Sequence, residues 1–156
     1  MRRLTFCAAL AATALVASPA VAQTVTGTDG ADHLDGHDGA DVIRALAGND
    51  LVHGMPGNDK INGGPGKDAL YGGPGRDEVW GGHDNAPDHI STNQDADIIH
   101  ARGGDYVDAG RGNDHVYVTH ADSRNVIHCS EGYDVLTFIG PRNGARVIAC
   151  EKIVHR

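Results

Sequence analysis

From Gly27 onward the chain repeats itself every nine residues, and a chain with that period stacks short, near-identical units instead of packing long elements around one centre. Six rows run without a gap to Trp80: GTDGADHLD, GHDGADVIR, ALAGNDLVH, GMPGNDKIN, GGPGKDALY and GGPGRDEVW. GGHDNAPDHIS then carries two extra residues, TNQDADIIH restores the phase, ARGGDYVD is one residue short, and AGRGNDHVY ends at Tyr117. The sixth position is acidic in all ten rows: Asp32, Asp41, Asp50, Asp59, Asp68, Asp77, Asp88, Asp97, Asp105 and Asp114. The eighth is always aliphatic, from Leu34, Ile43 and Val52 to Val107 and Val116. Glycines in the first four positions permit positive φ and a tight turn. The three residues after each Asp suffice for one short strand, with only the middle side chain pointing inward. Two rows therefore make one coil, with a turn and a strand on each side.

Composition agrees with a fold that has little ordinary core. Glycine supplies 22 of 156 residues, and only seven residues are Phe, Trp or Tyr. Acidic residues outnumber Lys and Arg 21 to 13, for a formal charge of -8. That balance argues against a nucleic-acid or anionic-membrane surface and favours cations as partners. The acid is 18 Asp against three Glu. Asp tolerates turns and presents its carboxylate on a short arm to hard cations, whereas a solvated helical surface would use Glu.

Gly63–Tyr71 and Gly72–Trp80 read Gly-Gly-x-Gly-x-Asp-x-aliphatic-x in full, and the other rows keep the Asp and the aliphatic residue. This resembles the glycine-rich nonapeptide of the repeats-in-toxin (RTX, hemolysin-type) calcium-binding family. The resemblance implies an all-β fold, a parallel β-roll, with several calcium ions held between each turn and the equivalent turn one coil later. Asp32, Asp50 and Asp68 would stack on one side, and Asp41, Asp59 and Asp77 on the other. Carboxylates repeated at a coil spacing of about 4.8 Å repel by on the order of 3 kcal/mol at an effective dielectric near 20. Calcium reverses that sign, since it accepts six to eight hard oxygens, whereas magnesium prefers a tighter octahedron. The expectation is a chain that is disordered without the ion and folds as its turns load. The ten sixth-position aspartates are the expected metal ligands. Asp88 follows the insertion, Asp97 has Asp95 where glycine belongs, and Asp105 sits in the shortened row, so these three are the expected weak sites.

Both ends depart from the repeat. Residues 1–22 read as a secretory signal peptide: Arg2 and Arg3, an apolar run from Leu4 to Val16, and the small-x-small triplet Ala20-Val21-Ala22. Cleavage near Ala22 would give a secreted or periplasmic protein with no membrane span. The repeat roll is assigned to 23–117 and a C-terminal β cap with degenerate repeats to 118–156. There, His120–His128 reads as a worn row with Asn125 in sixth place, and Cys129–Thr137 again sets Gly132, Asp134 and Leu136 in register. Cys129 and Cys150, an even pair in an exported chain, are most simply a disulfide, with a free thiol pair as the alternative.

No nucleophile motif is visible, so the expectation is a non-enzymatic calcium-binding protein. The alternatives are a calcium-dependent adhesin or matrix component with an unidentified carbohydrate or protein partner, and a small secreted hydrolase. Tyr71, Trp80 and Tyr117 occupy outward ninth positions and would serve as an adhesive patch. His53, His83, His89 and His100 lack the helical i, i+4 pairing of a zinc enzyme and read as surface residues.

Overall fold

The computed structural model describes residues 21–156, so the leader expected over 1–22 lies outside the described residues apart from its last two. Short strands and turns alternate along the chain, and no helix occurs among the described residues. The strands form an eight-stranded sheet and a seven-stranded sheet in which every neighbour is parallel. Odd rows feed one sheet and even rows the other, as a coil of two rows requires. The fold is a parallel β-roll.

The register follows the repeat. Ile43 lies opposite Ile61 and Ile61 opposite Val79 in the eight-stranded sheet, while Val52 lies opposite Leu70 in the other, each step being 18 residues. The insertion stretches the step to 20 at Leu70↔Ile90 and Val79↔Ile99, and the short row contracts it to 17 at Ile90↔Val107 and Ile99↔Val116. The turns absorb these changes, because a one-residue slip within a strand would turn every aliphatic side chain to solvent. From Ile43 to Val116 each eighth-position side chain is fully buried.

Towards the C-terminus the core thickens. His115–Thr119 and Val135–Ile139 are five residues long and send in a second side chain, Val118 and Phe138, both fully buried. The strands Val126–His128, Arg146–Ile148 and Lys152–His155 extend the same two sheets. Cys129 and Cys150 are disulfide-bonded with Cα atoms 5.0 Å apart, stapling the last coils together. Closing a loop of this size contributes about 3 kcal/mol.

Several turns take left-handed backbone at their second and fourth positions. At the second, Gly64 and Gly73 have φ of 100° and 109°, and at the fourth Gly66 and Gly75 have 134° and 127°. Four side-chain-bearing residues at the second position also take positive φ: Leu46, Met55, Asn93 and Ser130, between 70° and 75°. Leu46 and Met55 are also exposed, at 40% and 44%, so little burial offsets their strain. Replacing Leu46 or Met55 by Gly is expected to stabilise the folded protein by about 1 kcal/mol each. Gly66→Ala should do the opposite, because its Cβ would collide with the Gly48 carbonyl. Thermal melts of the three variants check both signs.

Candidate metal centres

The sixth-position aspartates stand in two columns, one along each edge of the roll, and all from Asp41 to Asp114 are buried. The same backbone interaction holds each. The Oδ1 of one Asp accepts the N–H of the Asp one coil earlier: Asp41 N–H to Asp59 at 2.8 Å, Asp59 to Asp77 at 2.9 Å, Asp77 to Asp97 at 2.7 Å and Asp97 to Asp114 at 2.9 Å. The second column runs from Asp32 to Asp50 at 2.8 Å, Asp50 to Asp68 and Asp68 to Asp88 at 2.9 Å each, and Asp88 to Asp105 at 3.0 Å. Stacked carboxylates are thus tied to backbone amides through one oxygen, so the packing is not purely repulsive.

The other oxygen sets the chemistry. Oδ2 of Asp50, Asp59, Asp68, Asp77, Asp97 and Asp114 is buried with no hydrogen-bond partner. An unpartnered buried carboxylate oxygen is costly, and its recurrence at six of these turns is a pattern that calls for a shared compensating cation. The first-position glycine leaves space beside it. A Cβ on Gly54 would sit 2.6 Å from Asp59 Oδ2 and against the Gly72 carbonyl, and one on Gly63 would sit 2.6 Å from the Gly81 carbonyl and against Asp68 Oδ2. Each such space is bordered by a carboxylate oxygen and a carbonyl from the next coil. Carboxylate and carbonyl oxygens are the hard donors that calcium takes.

Burial dominates the electrostatics. It pushes the carboxyls of Asp59, Asp68, Asp105 and Asp114 up to about 6, Asp77 to about 7, and Asp88 and Asp97 to about 8. The backbone hydrogen bonds of the ladder oppose this shift, and the neighbouring aspartates add to it.

A sequence model of the RTX calcium-binding nonapeptide repeat matches residues 22–52, 53–85 and 84–116, which is more than half of the chain. The chain belongs to this RTX repeat family. No curated protein and no solved structure matches it. Calcium-binding repeats on a β-roll are thereby its established character.

The turns of this RTX chain are not equivalent. Asp32 and Asp41 use Oδ2 to accept the amides of Thr28 and His37 at 2.6 Å, and Asp105 does the same with Arg102. Asp97, despite Asp95 in the glycine position, presents its free Oδ2 as the regular rows do; Asp95 takes φ of 76°, which Asp tolerates. Beyond the ten expected positions, Asp134 has the same geometry: its Oδ1 accepts the Asp114 amide at 2.9 Å and its Oδ2 is buried without a partner. The phase of its row was the signal for it. Glu151 ends that column by accepting the Asp134 amide at 2.8 Å. In the other column Asn125 takes the sixth position and donates to the Arg102 and Asp105 carbonyls, and Ala145 follows it, so the carboxylates stop there.

The supposed adhesive patch does not exist as one surface. Tyr71 lies on the seven-stranded sheet, whereas Trp80 and Tyr117 lie on the other, because their rows have opposite parity.

The raised carboxyls fix a pH dependence. A group whose pKa is higher in the fold than in the unfolded chain favours folding below the unfolded value, near 4, and loses that contribution as pH rises through its folded value. Metal-free protein should therefore gain strand structure on acidification from pH 8 towards pH 5. Calcium held by these carboxyls would displace those protons, so its affinity should fall over the same interval, with proton release on binding. Circular dichroism and calorimetric titrations at several pH values check the two opposite trends.

Proposed function

We propose that this is an exported, non-enzymatic protein whose roll forms as calcium ions load its turns. The observation that carries the reading is the column of buried Oδ2 atoms left without partners at successive turns. The main ligands would be Asp50, Asp59, Asp68, Asp77, Asp97 and Asp114, with Asp134 added and turn carbonyls completing each shell. Asp32, Asp41, Asp88 and Asp105 complete the expected set, the first two and Asp105 exchanging a turn amide or sharing it with the ion. One medium aliphatic side chain per row is a thin core, which leaves the ions to supply the decisive stabilisation. The leader pattern over 1–22 and the Cys129–Cys150 disulfide favour an oxidising compartment outside the cytosol, where calcium is plentiful. Residues 118–156 would close the calcium-poor end of the roll.

A second reading, a calcium-dependent adhesin or matrix component, draws on the rings stacked along the outer faces. Trp80, His100 and Tyr117 stack at 5.1 and 5.2 Å on one sheet, and His53 stacks on Tyr71 at 5.2 Å on the other. Glycan-array binding that needs both calcium and Trp80 would favour it.

Calcium titration of the purified chain tests the main reading. Several ions should bind as the strand spectrum appears, and Asp68→Asn or Asp77→Asn should each remove at least one ion and raise the calcium midpoint. Asp29→Asn, an exposed turn acid outside the columns, should change neither. Equal stoichiometry in all three variants would contradict the assignment.

A further inference from the structure

Outside the acidic turns, a second cluster of metal-ligating side chains sits on the outer face of the seven-stranded sheet. Strands His33–Asp35 and Leu51–His53 are neighbours there, with Asp35 directly opposite His53. Strand alternation turns the residues flanking Leu34 away from the core, so His33 and Asp35 share the outer face with His53. Asp35 Oδ1 lies 2.9 Å from His53 Nδ1 and 3.5 Å from His33 Nε2. Each of the three offers a donor atom, and those atoms all lie within 4.8 Å of one another. Tyr71 stacks on the His53 ring at 5.2 Å and 21°, and the His33 ring meets the His53 ring edge-on at 5.5 Å, which limits where the imidazoles swing.

We propose that His33, Asp35 and His53 bind one divalent ion of the zinc or copper class, at a site distinct from the calcium turns. The donor set decides the class. Two imidazoles with one carboxylate suit zinc and copper, whereas calcium takes oxygen alone and does not compete for the nitrogens. A tetrahedral ion with bonds of about 2.0–2.1 Å holds its donors about 3.3 Å apart, so small side-chain rotations close the cluster onto it. The exposed position leaves the remaining coordination to water or to a ligand from outside. Helical spacing is the wrong ruler for such a site in a solenoid. Here the 20-residue separation of His33 and His53 is one coil plus two residues, and it brings them together only when adjacent coils are stacked.

The test is a zinc titration of the untagged full chain saturated with calcium, without chelators, whose strand spectrum is recorded on the same sample. Failure of the site in a folded protein is thereby separate from failure of calcium-driven folding. The account expects one zinc equivalent, weakened roughly tenfold or more by His33→Asn or His53→Asn and unchanged by His89→Asn or His100→Asn. These side chains are on the surface, so the variants should keep the wild-type spectrum. With copper as probe, electron paramagnetic resonance should show two coordinated imidazole nitrogens, reduced to one in each of the first two variants. Absence of zinc uptake by the folded protein would overturn the proposal, and so would equal uptake by wild type and the His33→Asn and His53→Asn variants.

Discussion

The structure depends on a carboxylate that is half satisfied. At each regular turn one Asp oxygen accepts the backbone amide of the Asp a coil earlier, which fixes the stacking of coils and leaves the second oxygen buried without a hydrogen bond. The first interaction sets the spacing along the roll. The second leaves a buried polar oxygen at that spacing, a cost that a cation shared between turns would offset. Coil geometry and an unmet buried oxygen therefore come from the same residue, beside a thin core of one aliphatic side chain per row.

Much of this is legible in the sequence. The Asp column and the aliphatic column together give strand length, coil size and the parallel pairing of alternate rows, so Ile43, Ile61 and Val79 can be stacked before any coordinates are seen. The pattern also survives an insertion, because the register of Leu70 and Ile90 tolerates two extra residues in the turn. What the pattern hides is the polarity along the roll axis. Nothing in a single row shows that Oδ1 is already occupied by an amide from the preceding coil, or that Asp32, Asp41 and Asp105 use Oδ2 within their own turns.

The outer faces were the harder part to read, for a related reason. Outward residues are neighbours when their rows share parity, so Trp80 and Tyr117 belong together and Tyr71 does not. The same rule joins His33 to His53 and gathers metal-ligating side chains from residues that look scattered at helical spacing. The C-terminal coils follow the rule with different chemistry: Asn125 and Ala145 stand where one column had carboxylates, while the buried Phe138 and the Cys129–Cys150 bond add cohesion.

The most direct measurement is amide hydrogen exchange at the aspartates of the ladder, read residue by residue with and without calcium. Protection of the Asp41, Asp50, Asp59, Asp68 and Asp77 amides should be strong in calcium and should collapse together when the ion is withdrawn at neutral pH. Equal protection of those amides in the ion-free protein would show that the stacked turns hold without a cation, and the account would be wrong.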